Sequence, residues 1–427
     1  MLATQNGKCL KQSLSIPMKQ NTIKVNTSEL ASYKVRCPRL TAPEIEPPMP
    51  LLTDRRLRRL ACLCLVGTMA LAPGRSARAD TDDEPARILS FENDSVATTV
   101  PGNGDVNPYG VAFVPPSFPR GGLLKPGDIL VSNFNDMANV QGTGTTIVDV
   151  AQNDQTSLFF QGKAPLGLST GLAVLKVGFV LVANCPTNGA TPLPMALPGS
   201  LLLIDRFGKL SDSLGLSGFI EGPWDFTVQD KGYFVKVFIS NVLTGTVSRL
   251  DLSIAGGKFL VLRKALVASG YIHKPDPVTF EVGPTGLVYN AQHDILYVSS
   301  TGDNEVFAVP DAGDRTTPPP NGKGIVIYAD NVHLHGALAM AQAPNGHLLV
   351  SNSDGINADP SQPSEIVEFT IKGQFIGELS VDATPGGAFG LSLVGLNDNK
   401  IRFAAVDDNA NVLKLMTVNV PDSLPTP

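Results

Sequence analysis

TGLVYNAQHDILYVSSTGDNEVFAVP, residues 285–310, is the stretch whose reading decides the fold. Three short apolar runs, Gly286–Tyr289, Ile295–Ser299 and Glu305–Val309, are separated by the polar turns Asn290–Asp294 and Ser300–Asn304. Runs of about five residues joined by tight polar turns read as an antiparallel meander.

Working outward, the same unit recurs six times after Asp80. Its first strand stands at Tyr109–Val114, Gly171–Leu175, Trp224–Val228, Gly286–Tyr289, Gly336–Ala341 and Phe389–Val394. Its second is clearer, at Asp128–Val131, Phe179–Val182, Val237–Ile239, Ile295–Val298, His347–Val350 and Arg402–Ala405. Third and fourth strands follow in turn, except that the sixth unit has no fourth strand. Ala86–Phe91 (ARILSF) precedes the first unit and is the expected replacement, which would close a ring and remove open sheet edges. No segment after Asp80 sustains a 3.6-residue period beyond about ten residues, so helical bundles and doubly wound α/β folds are excluded. The expected fold is all-β: a six-bladed β-propeller of four-stranded antiparallel blades, occupying 80–427.

Composition agrees. The chain of 427 residues is 43% hydrophobic, enough for a large core, and its 41 Gly and 34 Pro speak for many turns. Residues 1–79 hold 13 Lys/Arg and 4 Asp/Glu, leaving 20 basic and 35 acidic residues in 80–427, a net of −15. An acidic body argues against nucleic acid as a partner, because phosphates need neutralising cations.

Residues 1–48 show no sustained periodicity and read as an upstream over-extension or a disordered extension. From Met49 the pattern changes. Arg55, Arg56, Arg58 and Arg59 precede an apolar run, Ala61–Ala72, too short to span a bilayer of about 30 Å comfortably. Pro73 and Gly74 break it, and Ala77-Arg78-Ala79 is a cleavage pattern. Residues 49–79 thus read as an export signal peptide. The mature protein is expected to be periplasmic or secreted, a monomer, and not inserted in the membrane. Removing that segment leaves Cys185 as the sole cysteine, so an intrachain disulfide is excluded.

The phrases GLAVL (171–175), VLVAN (180–184), GHLLVSN (346–352) and SEIVEF (364–369) resemble NHL-repeat and related six-bladed propellers. The resemblance spans roughly 86–420. It implies the fold firmly and the function loosely, since such propellers serve as binding modules, scaffolds, lactonases and lyases.

In the expected ring, Asn133, Asn184, Asn241, Ser300, Asn352 and Asp407 each follow a second strand. Six polar side chains around one axis suit Ca²⁺ or another divalent cation, or a polar ligand. Asn and Asp also open turns by bonding their own backbone. Similarity to gluconolactonase- and regucalcin-like propellers would imply a metal at the channel mouth held by a Glu, two Asn and an Asp. Glu221 or Glu281, on loops leading into first strands, would supply the carboxylate, and the metal would polarise a carbonyl or activate water. His333 and His335 enter the fifth unit, with His335 nearer the mouth. Resemblance to amidating-type lyases would need several such histidines. Trp224 stands on a first strand, where it would stack on a ligand or pack in the core. The long second-to-third-strand loops Pro186–Gly199 and Asn352–Glu365 offer a further edge. Three functions stay open: a module binding a small molecule or protein, a metal-dependent lactonase, and a channel-histidine lyase.

Overall fold

A computed structural model describes residues 87–89, 95–191, 194–277, 279–396 and 400–419. The segments 1–48 and 49–79 lie outside them. The described chain is all-β, with no helix, and six four-stranded antiparallel sheets form the blades of a propeller.

From axis to rim, blade one runs Val106–Phe113, Ile129–Asn135, Thr146–Val150 and Thr156–Gln161. The inner strands of blades two to six are Leu168–Leu175, Pro223–Asp230, Pro284–Asn290, Ala337–Gln342 and Ala388–Gly395. Each overlaps the segment expected for it, and four cover it whole; Val114 in blade one and Gly336 in blade five fall one residue outside their strands. The opening stretch, 285–310, supplies the three inner strands of blade four, and its two turns join consecutive paired strands.

The last blade is completed from the N-terminal side, but not by the expected segment. Ser95–Thr98 pairs antiparallel with Val412–Leu415 and forms its outer strand. Of 86–91, only Arg87, Ile88 and Leu89 are described, and they form no strand. The physical reason is in the side chains. Ser95–Thr98 sends Ala97 inward between more exposed neighbours, as an edge strand does. Ile88 and Leu89 are adjacent, yet both are fully buried against the core between blades five and six.

The core is a ring of sandwiches. Six apolar clusters each combine side chains of two neighbouring blades, and a seventh, with Tyr109, Phe134, Trp224 and Phe280, plugs the axis. Neighbouring blades are also tied by serine. Ser132 Oγ donates to Ser169 O at 3.1 Å, Ser240 Oγ to Thr285 O at 2.6 Å, Ser299 Oγ to Leu338 O at 2.5 Å and Ser351 Oγ to Phe389 O at 2.6 Å. Each bond runs from a second strand to the next blade's inner strand. Ala183 and Val406 hold the equivalent places in blades two and six and make no such tie. Ser351 Oγ also accepts the Ala339 N–H at 3.1 Å. Ser351→Ala leaves two buried backbone groups without that partner and is expected to cost about 1–3 kcal/mol, read from the denaturant midpoint. A midpoint equal to that of the parent protein would show that the ties carry no stability.

One irregularity repeats in every blade. The inner strand meets the second strand at Pro108–Asn133, Leu168–Asn184, Pro223–Asn241, Pro284–Ser300, Ala337–Asn352 and Ala388–Asp407. Immediately afterwards each pairing slips, leaving two or three inner-strand residues out of the ladder. Such bulges re-aim side chains. The second bulge residue is crowded by the adjacent blade: a Cβ on Gly390 would lie 1.6 Å from Tyr109 O, and one on Gly286 2.3 Å from Leu338 O. Glycine there permits the approach of two backbones around the axis.

Candidate functional site

The six bulges deliver Tyr109, Ser169, Trp224, Thr285, Leu338 and Phe389 to equivalent places at one end of the channel. Tyr109, Trp224, Leu338 and Phe389 line a cavity of about 190 Å³. That is an order of magnitude above the roughly 10–15 Å³ that one water needs. Tyr109 stands 4.7 Å from Phe389 and 5.7 Å from Trp224, centroid to centroid. Phe134 and Phe280 back Trp224 at 5.2 and 6.2 Å.

The polar side of the cavity comes from three places. Thr301, Ser353 and Asp408 are the residues directly after the second strands of blades four, five and six. Thr279 and Glu281 come from a small antiparallel pair, Lys274–Asp276 with Phe280–Val282, inserted before blade four. Asn107, Asn139 and Gln141 come from blade one and its long loop. Phe280 has φ +69°, a left-handed backbone that a bulky side chain rarely adopts, and it sets Glu281 at the cavity wall.

Four of the thirteen buried side-chain atoms without a hydrogen-bond partner among the described residues lie in this one wall. Asn107 Oδ1, Gln141 Oε1, Trp224 Nε1 and Thr279 Oγ1 are buried without a partner, and all four belong to its lining. Buried polar atoms in native proteins are nearly always paired, with protein, ligand or ordered water, so four in one wall mark a place that takes water or a bound molecule. The two carboxyls are perturbed. Burial, with Asp276 nearby, pushes Glu281 up to about 7; burial, with Asp407 nearby, does the same for Asp408.

The sequence-expected ring is differently employed. Asn184 Oδ1 accepts the Gly167 N–H at 2.9 Å, Asn241 Oδ1 the Glu221 N–H at 2.9 Å, and Asn352 Oδ1 the His335 N–H at 3.0 Å. Their amide groups donate onward to Ser200, to Thr246 and Ser248, and to His333 O. Asn133 Nδ2 donates to Thr99 O, Ser300 Oγ to Asp303, and Asp407 pairs with the Lys414 ammonium at 2.7 Å. These side chains tie each blade to its own entering loop or neighbouring turn. None of the six lines the axial cavity. A divalent cation shared among them does not fit, since the carbonyl oxygens of Asn184, Asn241 and Asn352 are already accepting bonds. Among the described residues no three His, Cys, Asp or Glu side chains come together as a ligand set.

Of the additional candidates, Glu281 and Trp224 line the cavity and Glu221 and His335 do not. Glu221 Oε1 accepts the Gly218 N–H at 2.6 Å, beside a separate groove between the Pro186–Gly199 loop and blade three. His335 is buried, its ring nitrogens 2.6 Å from Asn357 O and 3.1 Å from Val332 O. His333 instead stacks on Phe375. None of the five histidines lines the cavity, so the lyase reading lacks its acid–base groups there. Cys185 is buried within the axial cluster, its thiol pushed up to about 12 by burial and by Glu281, which makes it a poor nucleophile.

No family model matches the chain, and no curated protein matches it. Among solved structures it is similar to a gluconolactonase of Xanthomonas campestris, at 14% identity over 76% of this chain and 88% of that one, with a TM-score of 0.44. It is also similar to a luciferin-regenerating enzyme, at 10% identity over 77% and 96% of the two chains (TM-score 0.46). A glucose dehydrogenase-type oxidoreductase from Thermus thermophilus gives 14% identity over 75% and 99% (TM-score 0.44). At these identities the likeness is one of fold.

Sequence reasoning missed Tyr109, Phe389, Asp408, Asn107, Asn139, Gln141, Thr279, Thr301, Leu338 and Ser353. The expected ring stands one residue before the positions that face this cavity. Successive side chains on a strand face opposite ways, so the position after each expected residue is the one that turns to the axis. There the chain carries Phe134, Cys185, Val242, Thr301, Ser353 and Asp408. One half of that ring is apolar and the other polar.

Proposed function

We propose that this chain is a binding propeller that holds a small polar molecule in the axial cavity. The observation that carries the reading is the set of four buried, unpartnered polar atoms in one wall. Asn139 is exposed and Gly386 half-buried at its rim, which gives a small molecule a way in from solvent. Aromatic and aliphatic walls with a few convergent polar groups are the usual make-up of ligand pockets.

Trp224 is the chain's only tryptophan and is 1% exposed, so its emission reports on this cavity alone. Acrylamide, a small polar amide, is expected to quench it strongly despite that burial. An emission indifferent to acrylamide would mean that the cavity admits no small molecule, and the reading would fall.

A further inference from the structure

We infer that the cavity is selective for a small organic ammonium ion that also carries a hydrogen-bond-accepting oxygen. The inference rests on the reading of the cavity as a ligand site and names the chemistry of the ligand.

Its wall joins two carboxyls, Glu281 and Asp408, to three aromatic rings, Tyr109, Trp224 and Phe389. No Lys or Arg belongs to the lining, and neither carboxyl has an ion-pair partner among the described residues. An anion would meet two like charges there. A neutral ligand would leave both carboxylates without a counter-charge in a partly desolvated site. A cation answers both. Aromatic faces attract a desolvated ammonium ion but offer no oxygen ligands, so the wall suits an organic cation better than a bare hard metal ion.

The orphaned atoms refine the choice. Asn107 Oδ1 and Gln141 Oε1 are acceptors, which suits a ligand that donates N–H or bears positive charge. Trp224 Nε1 is a donor only, in a side chain almost wholly buried, and it calls for an acceptor on the same ligand. The size of the cavity, about 190 Å³, admits a molecule of a few heavy atoms. A net charge of −15 over 80–427 draws cations toward the protein.

The test uses an isosteric pair read through Trp224 emission. Choline has a quaternary ammonium and a hydroxyl; 3,3-dimethylbutan-1-ol replaces its nitrogen by carbon. At about pH 8, where both carboxyls are ionised, choline is expected to bind at least about tenfold more tightly than the alcohol. In the Glu281→Gln, Asp408→Asn double variant the two should come within about twofold of each other. Equal binding of the pair by the unaltered protein would overturn the inference, whether or not the variant folds. So would acrylamide quenching without any response to choline, and that result would leave the cavity a ligand site for another chemistry. Exclusion of acrylamide as well would remove the site itself.

Discussion

Glu368→Ala is expected to lower the stability of the propeller by about 3–5 kcal/mol and to release the segment that leads into it. Glu368 lies on the third strand of blade five and is 0% exposed. One carboxylate oxygen accepts the backbone N–H groups of Ile88 and Leu89, both at 2.8 Å. The other lies 2.7 Å from His347 Nδ1. Truncation would leave two buried N–H groups and a buried imidazole without that partner. It would also loosen Ile88 and Leu89, whose side chains fill the layer between blades five and six. Such bonds to a charged group are worth about 1.5–3 kcal/mol each, more than a neutral pair, because the charge strengthens them in a dry setting. The measurement is a denaturant titration joined to limited trypsin digestion. Arg87, whose guanidinium donates to Glu378 O at 2.6 Å, should become a cleavage site in the variant and resist in the parent protein. An unchanged midpoint with Arg87 still protected would show that packing alone holds the segment.

That latch also shows what a sequence can and cannot disclose. Ile88 and Leu89 are visibly apolar, so the stretch around them read as a strand. Nothing local says that a glutamate some 280 residues away replaces a neighbouring strand as their hydrogen-bond partner. The blades were legible because period-two runs and polar turns repeat, and repetition averages out local ambiguity. The serine ties were half legible, in the recurring pairs Ser132-Asn133, Ser240-Asn241 and Ser351-Asn352. The asparagine drew attention as a possible ligand, whereas serine carries the bond between blades and asparagine the bond within one.

The cavity had a subtler signature. PYG at 108–110, PWD at 223–225, PTG at 284–286, ALA at 337–339 and AFG at 388–390 share one arrangement. Pro or Ala closes the ladder, the next residue turns to the axis, and a compact residue, most often glycine, lets the adjacent backbone approach. Read together, these triplets point to Tyr109, Trp224, Leu338 and Phe389. Thr279 and Glu281 had no such signal. Glu281 sits on a strand of three residues and Thr279 in the turn before it, with Pro275 and Pro277 close by, too short for any periodicity to register.

Acidification from about pH 8 to about pH 5 is expected to stabilise the protein, raising its thermal midpoint by at least about 5 °C. Burial lifts Asp149, Asp225, Glu281, Glu365 and Asp408 to about 7. In the unfolded chain the same carboxyls titrate near 4. Between about pH 4 and pH 7 the folded state therefore binds more protons than the unfolded state, and stability falls as pH rises through that window. One such proton changes stability by about 1.4 kcal/mol per pH unit. Below about pH 4 the trend reverses. Asp359, held low by the Ser361 N–H and hydroxyl, then begins to protonate, as does Asp212, where burial is outweighed by the Phe259 N–H and the Lys258 ammonium. Two of the five raised carboxyls line the axial cavity, so the site itself destabilises the empty protein at neutral pH. The Glu281→Gln, Asp408→Asn variant should accordingly melt higher than the parent protein at about pH 8 and close to it at about pH 5. A midpoint that climbs steadily from pH 5 to pH 8 would contradict the raised carboxyls and the buried, unpaired setting from which they follow.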